Sequence, residues 1–88
     1  MFRIEWAESA VADLSDRWDD GDPQLQAYII AALLDVRQQL SVEPDRAGES
    51  REPGARLLIV PPLAVTFHVN VRTNIVLVAG VRVAPPRE

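Results

Sequence analysis

The chain of 88 residues carries nine arginines, no lysine and thirteen acids for a net charge of −4, and 48% of it is hydrophobic. That describes one small domain with ordinary core-forming content, spanning residues 1–88, and its acidic balance argues against holding nucleic acid by bulk electrostatics. With no cysteine and a single histidine, disulfides, thiol catalysis and a cysteine-based zinc site are excluded, and no metal or other cofactor is expected.

Phe2, Ile4 and Trp6 alternate with Arg3 and Glu5, the period-two pattern of a short half-buried strand. From Ala7 the period changes: Ala7, Ala10, Val11, Leu14 and Trp18 recur at three- or four-residue spacing and give one helical face an apolar stripe. This helix stops at Asp19-Asp20-Gly21. Asp22 is then a good N-cap and Pro23 suits the first helical position. Leu25, Tyr28, Ile29, Ala32, Leu33, Val36 and Leu40 predict a second helix that ends near Ser41, ahead of Pro44. Two helices joined by so short a connection form an antiparallel hairpin.

Residues 45–55 are polar and punctuated by glycine and proline, which predicts a mobile loop. Three strands follow, Arg56–Val60, Leu63–Val69 and Ile75–Val83, with Pro61-Pro62 turning the chain between the first two. Asn70 to Asn74 close the last hairpin, and residues 84–88 form a fraying tail. The order is β-α-α-β-β-β, an α+β domain whose small, mainly antiparallel sheet carries the helical hairpin on one face.

Strand alternation says where a site can sit. Leu63, Val65, Phe67 and Val69 are expected against the helices, leaving Ala64, Thr66, His68 and Asn70 on the open face. Continuing that alternation puts Leu57, Ile59, Ile75, Leu77, Ala79 and Val81 inward. Arg56, Leu58, Val60, Val76, Val78, Gly80 and Arg82 then point outward. Arg56, His68 and Arg82 thereby share the open face, with Arg51 on the adjacent loop, and the four apolar residues Leu58, Val60, Val76 and Val78 make a patch too large to leave wet. A bound segment, the tail or a second copy of the chain would cover it.

The helix-one stretch WAESAVADL, the second helix ending four residues before Pro44, the arginine of Arg56-Leu57-Leu58, the strand Leu63-Ala64-Val65-Thr66-Phe67-His68-Val69 and the closing run Val76 to Arg82 together resemble the RelE/ParE superfamily of type II toxins. The similarity covers nearly the whole chain and rests on residue type and spacing. It implies a toxin, of the kind grouped as plasmid stabilisation proteins, held by a cognate antitoxin whose extended and partly helical segment wraps the fold. On this chain Leu58, Val60, Val76 and Val78 are the expected antitoxin contacts. Nuclease members cut ribosome-bound messenger RNA with basic residues and often a C-terminal tyrosine, chemistry that needs a proton acceptor and cations for the phosphate. Arg56, His68 and Arg82 would carry that catalysis, and Arg51, Arg56 and Arg82 the RNA or target contact, with His68 as acid or base because imidazole exchanges its proton near neutral pH. The chain departs from the nuclease pattern: Ala64 stands where an arginine is usual, no lysine exists, and the single tyrosine, Tyr28, lies on the second helix. The ParE branch poisons DNA gyrase by binding and needs no acid–base set, which fits this chain better. A non-toxic homologue that only binds an antitoxin is the third possibility.

The other residues have plainer readings. Trp6 and Trp18 read as packing residues rather than stacking platforms. Asp13, Asp16, Asp19, Asp20 and Asp22 lack calcium-loop spacing and read as a solvated helix face, a turn and a cap. The start carries Arg3, Glu5 and Glu8 with no apolar core to its first residues, and no run approaches a membrane span, so a cytoplasmic protein is expected.

Overall fold

The computed structural model describes residues 2–51 and 54–83. The elements are β1 (Arg3–Trp6), α1 (Glu8–Asp20), α2 (Pro23–Val42), a 3₁₀ turn (Pro44–Arg46), β2 (Glu49–Arg51), β3 (Ala55–Val60), β4 (Leu63–Asn70) and β5 (Ile75–Val83). The strands form one five-stranded sheet in the order β1-β5-β4-β3-β2. β1 runs parallel to β5 and every other pair is antiparallel. This is the expected α+β arrangement with one added strand.

The added strand corrects the reading of residues 45–55 as a loop. Pro44–Arg46 continue the helical path for one tight turn, and Glu49–Arg51 pair with Leu57, Arg56 and Ala55 to make β2. Glu52 and Pro53 of that segment, and the tail at 84–88, lie outside the described residues.

Helix boundaries follow the local chemistry. Ala7 caps α1 without a side-chain bond, whereas the Asp22 carboxylate accepts from the Leu25 N–H at 2.8 Å and Pro23 opens α2. Gln26 donates to the Trp18 carbonyl at 3.0 Å and ties the two helices together. Ile29, Ala32, Val36 and Leu40 recur at helical spacing and form the buried side of α2. Tyr28 and Val11, expected on apolar stripes, are instead exposed.

One core lies between the helices and one face of the sheet. Phe67, Val65 and Leu63 of β4, Val76, Val78, Val81 and Val83 of β5, and Leu58 of β3 pack with the α2 residues and Ala10 of α1. The inward set expected for β4 is correct. For β3 and for the first half of β5 the expected faces are reversed, and each reversal has a local cause.

Across the two-residue Pro61-Pro62 turn Val60 pairs with Leu63, so the inward face of Leu63 forces Val60, Leu58 and Arg56 inward too. In β5 the ladder slips between Thr66 and Phe67: Thr66 faces Gly80 but Phe67 faces Val78, leaving Ala79 as an extra residue. This bulge resets the alternation, so Val76 and Val78 point to the helices along with Val81 and Val83. The Ala79 carbonyl accepts the Ser9 hydroxyl of α1 at 3.2 Å, which fixes the helix against the bulge.

Candidate functional site

The open face of the sheet is assembled from four transverse rows of paired residues. Asn70, Ile75 and Arg3 form one; His68 and Leu77 with Ala55, Arg51 and Glu5 form the next; Thr66, Gly80, Leu57 and Glu49 the third; Ala64, Arg82 and Ile59 the last. Directly paired residues share a face, so these rows define the surface that the helices leave uncovered.

Two of the three expected catalytic residues are on it. His68 and Arg82 are exposed on the open face, but their rows stand four residues apart along β4, roughly 13 Å at the usual rise per residue. Arg51 shares the His68 row two strands away, roughly 10 Å off, and pairs with Glu49 at 3.1 Å. These side chains border the face without converging on one point.

Arg56 is not part of this surface. Its partner across the ladder is the fully buried Phe67, so its side chain leaves toward the helix layer. There its Nε donates to the Ala47 carbonyl at 2.9 Å and its Nη2 to the Gly48 carbonyl at 3.2 Å. The guanidinium closes the segment between α2 and β2 where backbone carbonyls would otherwise lack donors. The arginine at the mouth of β3 is a structural clamp.

The expected apolar patch is also displaced. Leu58, Val76 and Val78 are buried in the core and Val60 packs against it. Exposed apolar surface on the open face comes instead from Ile59 at 62% and Leu77 at 40%, beside the half-buried Leu57 and Ile75. The faces were exchanged, so the apolar character of the open face survives with different residues.

A recess of about 380 Å³ opens beside α1, lined by Asp13, Leu57, Ala64, Thr66, Gly80 and Arg82, together with Val81. Its floor is made of small residues, and a Cβ built on Gly80 would meet no heavy atom within 4 Å. Asp13 and Arg82 stand at its walls, and neither forms an ion pair among the described residues. The strand pattern offers no hint of Asp13, which α1, packed beside β5, brings to the recess. An isolated glycine within a strand-like run was the available signal for the β5 bulge.

Among the described residues no group of three or more acids or histidines is placed to hold a metal. No described helix is long and apolar enough to cross a membrane.

The different roles of the two arginines make a direct prediction. Hydrogen bonds from a charged donor contribute about 1.5–3 kcal/mol each at most, so Arg56→Ala should lower the thermal unfolding midpoint clearly. Arg82→Ala removes an exposed side chain and should change stability by less than about 0.5 kcal/mol. Thermal denaturation followed by circular dichroism separates the two, and equal midpoints would remove the clamp assignment.

The arrangement of helices and strands has counterparts among solved structures. A chain of the chromosomal ParDE toxin–antitoxin system of P. aeruginosa superposes with a TM-score of 0.72 at 22% identity, over 97% of this chain and 98% of that one. A chain of the RelBE2 toxin–antitoxin complex of Mycobacterium tuberculosis gives 0.70 at 21%, over 93% and 96%. The isolated E. coli RelE toxin gives 0.62 at 15%, over 100% and 89%. No protein-family model matches the chain, and no curated protein matches it in sequence. The chain therefore has the fold of these ParDE, RelBE2 and RelE chains over nearly its whole length. The resemblance carried by the helix-one stretch and the strand motifs holds at the level of fold.

Proposed function

We propose that this chain is the toxin of a type II toxin–antitoxin pair, neutralised by a cognate antitoxin and inhibiting growth by binding a protein target, DNA gyrase in the manner of the ParE branch. End-to-end likeness to chains from ParDE and RelBE systems supports the toxin role, and several of those neighbours were solved as toxin–antitoxin complexes. The observation that favours binding over cutting is the separation of the candidate catalytic side chains. Arg56 is turned into the helix layer, and His68 and Arg82 stand roughly 13 Å apart on the open face. Cleavage of RNA needs a proton acceptor and phosphate-holding cations within hydrogen-bond reach of the same nucleotide. A protein partner asks for less: the exposed Ile59 and Leu77, the half-buried Leu57 and the Arg82 recess offer an apolar centre with charged borders.

The experiment is a paired assay on the purified chain. Gyrase supercoiling should be inhibited, while messenger RNA on translating ribosomes stays intact. Ribosome-dependent cleavage that disappears in His68→Ala and Arg82→Ala would overturn the binding mode in favour of a RelE-like endoribonuclease. Activity in neither assay would leave a non-toxic antitoxin-binding homologue.

A further inference from the structure

β1 is the end strand of the sheet and pairs only with β5 among the described strands. The Arg3 N–H donates to Asn74 and the Ala7 N–H to Val78, both at 2.9 Å. Alternate residues of a strand direct their backbone groups to opposite edges. Ile4 and Trp6 therefore hold their N–H and C=O groups out along the free edge, while the Phe2 N–H is taken by the Ser41 carbonyl at 3.0 Å. Beside this edge runs a groove of about 650 Å³ between β1 and α2, lined by Phe2, Ile4, Trp6, Ile30, Leu34 and Arg37 among others. Its walls are wet apolar surface: Leu34 is 62% exposed, Ile30 49% and Trp6 37%. An open edge flanked by exposed large hydrophobics is a pairing template.

We propose that its occupant is a second copy of this chain, joined antiparallel along β1 across a twofold axis at Ile4, so that two sheets become one. The strand is self-complementary. Phe2-Arg3-Ile4-Glu5-Trp6 reads aromatic, cation, aliphatic, anion, aromatic, and reversing it exchanges only the charges. Centred on Ile4, the pairing sets Ile4 against Ile4 of the second copy, Arg3 against its Glu5 and Phe2 against its Trp6. Arg3 and Glu5 lie on the open face, paired there with Ile75 and Leu77, so both new charge pairs form on the same accessible side. Within one copy they already sit 3.0 Å apart as an exposed ion pair, and the second copy supplies each with another opposite charge. Moving the centre by one residue destroys the match: Glu5 would face Glu5, or Arg3 would face Arg3, and like charges directly opposite are destabilising. Charge thus selects one register.

The axis also accounts for the groove. It places both α2 helices on the same side of the joined sheet, so Ile30 and Leu34 of each copy meet the apolar side of the other's β1 and α2. The bonds across the seam come from Ile4 to Ile4 and from the Trp6 N–H to the Phe2 carbonyl, since the Phe2 N–H is already satisfied. This interface does not involve the recess beside Arg82 and stands independently of the toxin reading.

Sedimentation over a concentration series tests it. The unaltered chain should show a reversible monomer–dimer equilibrium. Arg3→Glu and Glu5→Arg each place like charges opposite at both symmetric positions and should weaken dimerisation roughly tenfold or more. The double variant R3E/E5R restores opposite charges throughout and should recover the dimer. Leu34→Asp on the groove wall should weaken it without touching the strand, with circular dichroism confirming an unchanged fold. A chain that stays monomeric at every concentration, a dimer indifferent to the single reversals, or a double variant that fails to recover would each overturn the proposal and leave the groove to a different partner.

Discussion

Phe67→Ala is expected to cost the domain about 3–5 kcal/mol, the range for truncating a buried phenylalanine, which is most of the stability a chain of this size has to lose. A domain keeps roughly 0.05–0.15 kcal/mol per residue in total. Phe67 is fully buried at the middle of the central strand, between Arg56 on β3 and Val78 on β5. It also stands at the bulge, so the cavity left by its ring would open where α1, β4 and β5 are fixed to one another. Little can collapse to fill that space, because its neighbours belong to a paired ladder. Urea unfolding should show a midpoint far below that of the unaltered chain, with Phe67→Leu intermediate. An unchanged midpoint would mean that the core is centred elsewhere.

Gly48→Ala should be the most damaging substitution of a single hydrogen by a methyl. Gly48 has φ +68°, and a Cβ there would lie 2.1 Å from the Leu57 carbonyl oxygen and 2.9 Å from the Leu58 Cα. Both obstacles are backbone of β3, so no side chain can turn aside. The left-handed conformation alone costs a non-glycine residue about 1–3 kcal/mol, and relief of the clash requires β2 to leave β3. Separation would also release the Gly48 carbonyl from Arg56 and undo the clamp. Gly54 provides the control, with a similar φ of +73° but nothing within 4 Å of its added Cβ. Hydrogen exchange should accelerate at β2 and at the facing half of β3 in Gly48→Ala and not in Gly54→Ala. Equal protection in the two variants would show that the close approach is not real.

The architecture was readable because its signals were redundant. Asp22-Pro23 marks the start of α2, alternation in Leu63 to Val69 is unbroken, and the period change after Trp6 separates strand from helix. Where such a signal is missing, hydropathy does not determine which way a strand faces. Leu57, Leu58, Ile59 and Val60 are all apolar, so alternation cannot say which way they face. The two-residue turn at Pro61-Pro62 could have: it pairs Val60 with Leu63 and carries the inward face across. In β5, counting back from Val81 works until Ala79, where the bulge adds a residue, and everything before it flips. These two reversals moved Arg56 off the candidate face and put Val76 and Val78 into the core. β2 was illegible for a different reason: Glu49-Ser50-Arg51 is polar on both faces and pairs as an exposed edge, so nothing in its hydropathy announces a strand.

The corrected placement bears on function through what remains on the open face. His68, Arg51 and the exposed Leu77 share one row, Arg82 and the exposed Ile59 share another beside Asp13, and the half-buried Leu57 lies in the row between. On this face Asp13 and Arg82 flank one recess, and His68 stands in a row roughly 13 Å away along β4.

The most direct measurement is growth after tightly controlled induction of this chain in a bacterium, with and without co-expression of the proposed antitoxin. A toxin that acts by binding predicts arrest that the antitoxin relieves, and arrest that persists in His68→Ala. Unimpeded growth at confirmed soluble expression would contradict the account.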